Sequence, residues 1–298
     1  MAVKPRHLLL FAILLMCPWR AFAGPITFEI LTTFDYPGAN AYTTATGINE
    51  RGDVAGTYLD QSSIYRGFVR FADGRLSDPI IEPDGDSTTF AEGINSSRTV
   101  CGGFSASGEN KGYFLSGSTF TEFDLGTSFT DVRDLNDLGN FCGDTISPSE
   151  GWQGFVIIGG TLSTISLGDG STPSAAGINN LDQVVGSYSQ GGRIFGYRRD
   201  ADGTLSYPIV VAGALSTQLH GVNDSGVMVG YVSIEGKISA ALFQSPGQYT
   251  LYDYPGATET YFYDINNRGL ICGTYYHTGT GKVAHHGFIA RVRPATRE

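Results

Sequence analysis

Beyond residue 23 the sequence lacks any apolar run near the ~20 residues a membrane span requires, and it has only four cysteines. It is also short of positive charge, with 19 Lys and Arg against 29 Asp and Glu. Each shortage excludes something. Past its first residues the chain should stay out of the bilayer. With a formal charge of −10 and no basic stripe, it repels phosphate backbones, so nucleic acid and anionic membranes are poor partners. Also missing are a G-x-S-x-G elbow, a phosphate-cradling loop leading into a helix, and a His/Glu motif at metal-ligand spacing. No cofactor and no metal are expected.

The single long apolar run, residues 8–16, follows Lys4 and Arg6 and precedes Ala21-Phe22-Ala23, the small-x-small pattern of a signal peptidase site. Residues 1–23 therefore read as a secretion signal. Pro18 and Arg20 break the run before it reaches spanning length, and Leu14-Leu15-Met16 ahead of Cys17 are too large for a lipoprotein site. Removal takes Lys4, Arg6 and Arg20 and no acid, leaving a formal charge of −13 on residues 24–298. The expected location is secreted or periplasmic.

What the sequence has in abundance is repetition. The stretch Ser174-Ala-Ala-Gly-Ile-Asn-Asn-Leu-Asp-Gln-Val-Val-Gly-Ser-Tyr188 returns in six versions, with its asparagine at Asn49, Asn95, Asn136, Asn179, Asn223 and Asn266, spaced 46, 41, 43, 44 and 43 residues apart. Three residues later stands Gly52, Gly139, Gly226 or Gly269, while Arg98 and Asp182 occupy that place in the second and fourth copies. Asn-x-x-Gly is turn chemistry: the asparagine bonds nearby backbone and the glycine takes the left-handed conformation. A short apolar strand follows each turn. A small residue and an aromatic or aliphatic one come 17 to 21 residues after the asparagine, as in Gly67-Phe68, Gly154-Phe155 and Ala241-Leu242. A fourth segment then leads to a glycine loop.

Four strands of ~5 residues in about 43 match one blade of a propeller, in which radial repetition leaves few exposed sheet edges. The predicted fold is all-β: a six-bladed β-propeller of four-stranded antiparallel blades, a single domain over residues 24–298. The sixth copy stops one strand short after residues 288–292, and residues 28–34 form a fourth-type strand with no copy in front of it. Phe34-Asp35-Tyr36-Pro37-Gly38-Ala39 also recurs as Tyr252-Asp253-Tyr254-Pro255-Gly256-Ala257. The N-terminal strand should complete the last blade and close the ring. The alternative is an open stack of sheets.

GINNLDQVVGSY, GINERGDVAGTY and VNDSGVMVGY, each followed by a marker such as HGF or RGF, resemble the HAF family of extracellular repeats, in which a His-Ala-Phe element comes after a Gly-Ile-Asn hairpin. The resemblance covers essentially the whole chain after the signal. It implies export and a propeller, and no shared activity. Only His286 matches the motif histidine; Arg66, Lys111, Gln153, Phe195 and Ala240 stand at its equivalents.

A repeat offers its own test: what recurs in every copy serves the scaffold, and what departs in one copy serves a site. Cys101, Cys142 and Cys272 occupy a small apolar position held by Ala55, Val185 and Val229 elsewhere. Equivalent positions in adjacent blades lie farther apart than the ~7 Å between Cα atoms that a disulfide spans, so three buried free thiols are expected. Pro83-Asp84-Gly85-Asp86 and Gly168-Asp169-Gly170 look like pieces of calcium loops but lack the ligand spacing and closing glutamate of an EF-hand, and read as turns. His277, His285 and His286 fall in the long segment of copy six. Adjacent strand residues face opposite ways, so His285 and His286 share no metal, and the three read as surface-loop residues.

The position three residues before the asparagine departs most: Thr46, Glu92, Arg133, Ala176, His220 and Tyr263. Two residues earlier, on the same face by strand periodicity, stand Thr44, Phe90, Asp131, Ser174, Gln218 and Tyr261. Between them the chain stays small or apolar. By analogy with known propellers, this strand lines the central channel, bringing Glu92, Asp131, Arg133, His220, Tyr261 and Tyr263 around one funnel as a candidate binding site. The competing reading is that these side chains only pair with one another between blades. Tyr36, Tyr42, Tyr254, Tyr261, Phe262 and Tyr263 gather near the ring closure, either to stack on sugar rings or to fill the wedge between blades.

The function expected is an exported binding or interaction module, for carbohydrate, protein or another extracellular ligand. One alternative is a polysaccharide lyase or hydrolase using Glu92 or Asp131 as acid or base, His220 as proton shuttle and Arg133 to steady developing charge. The other is a purely structural surface protein.

Overall fold

The computed structural model describes residues 25–83, 88–106, 108–147, 151–168, 170–279 and 282–295, and among these there is no helix. By their antiparallel ladders the strands fall into six groups in chain order, the fourth to sixth joined into one sheet by single parallel bridges at Ile194–Ser216 and Ile238–Glu259. The first is Thr43–Ile48, Val54–Leu59 and Tyr65–Arg70, with Leu76 and Ile80 bridging back to the last of these. The second runs Gly93–Ile94, Val100–Ala106, Glu109–Ser116 and Thr119–Phe123. The third is Thr130–Leu135, Phe141–Ser147, Gly151–Ile158 and Thr161–Thr164. The fourth is Ser174–Ile178, Val184–Gln190, Arg193–Arg199 and Leu205–Ile209. The fifth is Ser216–Val222, Met228–Ile234, Lys237–Ser245 and Gln248–Tyr252. The sixth is Glu259–Ile265, Leu270–Gly279 and Lys282–Pro294, and its outer partner is the N-terminal strand Ile26–Phe34, paired antiparallel.

Each asparagine builds its turn and reaches outside it. In the first copy the Asn49 side-chain carbonyl accepts from the Arg51 and Asp53 amides, and Gly52 N donates back to Asn49 O. Arg98 and Asp182, which replace the glycine, still take positive φ, at 65° and 57°. The side-chain amide is the outward half. Asn49 Nδ2 donates to the Asn95 carbonyl, Asn95 to Asn136, Asn136 to Asn179, Asn179 to Asn223, Asn223 to Asn266, and Asn266 to Asn49, at 2.8 to 3.4 Å. All six asparagines are buried, where an unpaired amide would be costly.

Apolar packing follows the same circuit. Ala45, Ile48 and Val54 of the first group pack on Leu270, Cys272 and Ile289 of the sixth, as Val229 and Leu242 of the fifth pack on Phe262, Ile271 and Phe288 of the sixth. Each remaining pair of successive groups shares such a cluster. The small residue of the third strand has its reason here: a Cβ on Gly67 would sit 3.0 Å from the Ala91 Cβ, and one on Gly196 would sit 2.9 Å from Leu219. Cys101, Cys142 and Cys272 are buried free thiols within these interfaces.

A bulge interrupts the first strand of five groups. Ala45 pairs with Gly56 and Gly47 with Ala55, so Thr46 is left over. Arg133, Ala176, His220 and Tyr263 are left over in the same way. On the facing strand stands a glycine in every copy. A Cβ on Gly143 or Gly186 would lie 1.9 Å from the carbonyl of Asp131 or Ser174, a distance no side chain tolerates. The bulge and the glycine are one device, since the extra residue kinks the strand onto its neighbour.

Candidate functional site

A bulge re-aims the residue it inserts, and here the five inserted residues, with Glu92 at the equivalent position of the second group, meet at one place. Thr46, Glu92, Arg133, Ala176, His220 and Tyr263 together line a cavity of about 180 Å³. The expectation that the residues two positions earlier share their face holds only in part, because the bulge breaks the alternation. Ser174 and Gln218 reach this cavity. Asp131 lines a neighbouring one between the second and third groups, together with Glu92 and Arg133. Tyr261 lies to the side, stacked on Tyr263 at 6.0 Å and hydrogen-bonded to Glu259.

Charge in the site centres on Arg133. Its guanidinium lies 3.1 Å from Asp131 Oδ2, 3.3 Å from Asp144 Oδ2 and 3.8 Å from Glu92 Oε1. Burial opposes its charge, but these three carboxylates hold it above the ordinary arginine value. Burial pushes the Glu92 carboxyl up to about 7, against the pull of Arg133 and with Asp131 and Asp144 adding to the rise. Burial also raises Asp144, which accepts from Ser174 Oγ at 2.8 Å and from the Ala175 amide at 3.1 Å. Asp144 was not singled out from the sequence, although its position is nearly as variable as the bulge: Thr57, Gly103, Asp144, Ser187, Tyr231 and Thr274.

Across the cavity, burial and then Arg133 bring the His220 imidazole down to about 3, so it is neutral at physiological pH. Its ring stacks on Tyr231 at 5.2 Å and meets Tyr263 edge-on at 5.3 Å. The arrangement thus offers a carboxyl poised near neutrality, a fixed guanidinium, a neutral imidazole and an aromatic wall around one small space.

No protein-family model matches the chain, and no curated protein matches its sequence. Solved structures do match in three dimensions. TolB from Acinetobacter baumannii superposes with a TM-score of 0.54 at 8% identity, over 85% of this chain and 56% of that one, so the chain spans little more than half of TolB. The Aleuria aurantia lectin, solved with Fucα1-6GlcNAc, gives 0.51 at 10% identity over 88% and 98% of the two chains. A gluconolactonase from Xanthomonas campestris gives 0.50 at 14% identity over 86% and 88%. The chain has a β-propeller fold. At these identities the likeness concerns fold alone.

The other candidates fall outside the propeller's site. His277, His285 and His286 are strand residues rather than loop residues, because the pairing of Leu270–Gly279 with Lys282–Pro294 carries the hairpin past them. His285 stacks on Tyr276 at 3.8 Å, and His286 on the opposite face pairs with Asp35 at 2.9 Å. Among the described residues no group of three or more His, Cys, Asp or Glu is placed to hold a metal, and no helix is long and apolar enough to cross a membrane. The segments 84–86 and 1–23 and Asp169 lie outside the described residues. Of the ring-closure aromatics, Phe262 is buried, Tyr36 stacks on Tyr58 at 4.0 Å and Tyr254 on Tyr275 at 3.8 Å.

Proposed function

We propose that the protein is an exported six-bladed propeller, closed by its N-terminal strand, that binds a hydroxyl-rich, carbohydrate-type ligand in the central funnel. Six blades and closure are supported by the asparagine circuit that returns to Asn49, by the apolar cluster between first and sixth groups, and by the pairing of Ile26–Phe34 with Lys282–Pro294. The Gly-Ile-Asn turns followed by a third-strand Gly-Phe or Gly-Tyr marker support a HAF-type repeat.

One observation carries the binding reading: the position at which the repeat stops repeating supplies every blade's residue to a single cavity. Sugars present alternating donors and acceptors around an apolar ring face. Arg133 donates, Glu92 accepts or donates according to protonation, Gln218 does both, and Tyr263 offers a ring and a hydroxyl. Among the described residues no side chain hydrogen-bonds the His220 imidazole, which leaves both ring nitrogens for a ligand.

The elevated pKa of Glu92 favours one second reading, a lyase or hydrolase of an extracellular polymer, since a carboxyl near 7 suits proton transfer at neutral pH. A glycan array run alongside reducing-end product assays separates the two. Binding without turnover supports the module, turnover lost in Glu92→Gln supports the enzyme, and glycan binding unchanged in both Arg133→Ala and His220→Ala overturns the funnel as a site.

A further inference from the structure

The space beside the funnel, between the second and third blades, is a cavity of about 380 Å³. Its walls include Phe90, Phe129 and Trp152, the last two 5.1 Å apart between ring centroids. Glu92, Asp131 and Arg133 form its inner end. Two independent features point to a missing positive charge. The first is the count, since Asp131 and Asp144, with Glu92 adding a further carboxyl that ionises near pH 7, share the one guanidinium of Arg133. The second is Asp131 itself, only 8% exposed, whose Oδ2 meets Arg133 while its Oδ1 has no hydrogen-bond partner.

The fold makes room for that unpaired oxygen. Where other blades carry Thr57, Asp144, Ser187, Tyr231 or Thr274, the second has Gly103, and a Cβ there would stand 2.6 Å from Asp131 Oδ1. A buried carboxylate oxygen without a donor is costly, and a space lined by carboxylates and aromatic faces suits an organic cation, which gains from both. Such a ligand brings N–H donors that the protein withholds, and it meets Oδ1 once the Asp131 side chain turns from Gly103 toward the cavity.

We infer that this cavity is a subsite for the primary ammonium group of an amino sugar whose hydroxylated ring lies in the adjoining funnel. The inference rests on the funnel reading for the sugar and on the Asp131 pocket alone for the charge. Trp152 is one of two tryptophans, the other being Trp19, so in a Trp19→Phe background its fluorescence reports the pocket. Titration with glucosamine tetramer should change the emission with at least tenfold higher affinity than the N-acetylated tetramer. Asp131→Asn should erase that preference. If Asp131→Asn does not fold, Phe129→Leu serves instead and should weaken the amine severalfold.

Equal affinity for the two tetramers, both lost in His220→Ala, overturns the ammonium subsite and leaves the funnel standing. Benzylammonium binding that depends on Asp131, with no glycan bound, supports the ammonium subsite and removes the carbohydrate reading. A preference undiminished in the folded Asp131→Asn or Phe129→Leu variant overturns the assignment to this pocket.

Discussion

The side-chain amide of Asn266 donates to the main-chain carbonyl of Asn49 at 2.8 Å, joining the last turn of the repeat to the first across 217 positions of sequence. The Asn266 side-chain carbonyl meanwhile accepts from the amides of Arg268 and Leu270, at 3.0 Å each. An aspartate could serve that inward half but has no N–H for the outward half.

Asn266→Asp should therefore keep its turn and lose the link. With a carboxylate oxygen facing a carbonyl in a buried place, we expect about 2 kcal/mol of destabilisation in urea unfolding. The same change at exposed Asn40 is the comparison. Equal losses at the two sites would remove the circuit's role.

Gly186 faces the bulged first strand of the fourth group, and a Cβ there would fall 1.9 Å from Ser174 O. Backbone cannot yield that far without undoing the bulge that aims Ala176. Gly186→Ala should cost about 3 kcal/mol or more, read as a lowered thermal midpoint. A shift within that of a surface substitution would mean the bulge is relaxed easily.

Glu92 titrates near 7 in the folded chain against an ordinary 4.5. A raised carboxyl pKa means that folding disfavours the ionised form, so its contribution is full below about pH 4.5 and is lost as pH rises through 7. Glu92→Gln removes this titration. Relative to the parent, the variant should gain about 2 kcal/mol in stability between pH 5 and pH 8. A parallel pH profile for the two proteins would place the Glu92 carboxyl in ordinary solvent.

Arg133 holds three carboxylates in place, and Arg133→Met leaves them facing one another. The expected loss at pH 7.5 is about 3 kcal/mol, the low end for a broken buried pair because a third of the side chain reaches the cavity. Acidification to pH 5 should shrink the loss by protonating Glu92, whose carboxyl burial has pushed up to about 7. Adding Asp144→Asn should restore part of it. A double variant no more stable than Arg133→Met would show that Asp144 is not the strained partner.

Much of this was legible in the sequence. The six asparagine turns, the small third-strand residues and the leftover strand of residues 28–34 each reflect local or pairwise chemistry: a turn needs an acceptor, a tight interface needs a missing Cβ, and an open edge needs a strand. The N-terminal strand indeed pairs with Lys282–Pro294. The site was legible only by subtraction. Glu92, Arg133, His220 and Tyr263 were found as departures from the repeat, and the structure gathers them. Tyr261 and Asp131 were placed with them by strict strand alternation; Asp131 touches Arg133 but lines the neighbouring cavity, and Tyr261 lies to the side.

What the sequence by itself determined is the repeating unit, because every element of that unit is fixed by residues within about 43 positions of one another. Only the tertiary structure decided where the departures point. A bulge is not written in hydrophobic pattern, since one inserted residue leaves the apolar neighbours apolar, and its sign here was the glycine on the facing strand. Nor could any single copy reveal that the Asn266 amide is spent on Asn49, or that Asp131 keeps an oxygen unpaired against Gly103. Those facts depend on which copies become neighbours, and it is the packing of blade against blade that settles them.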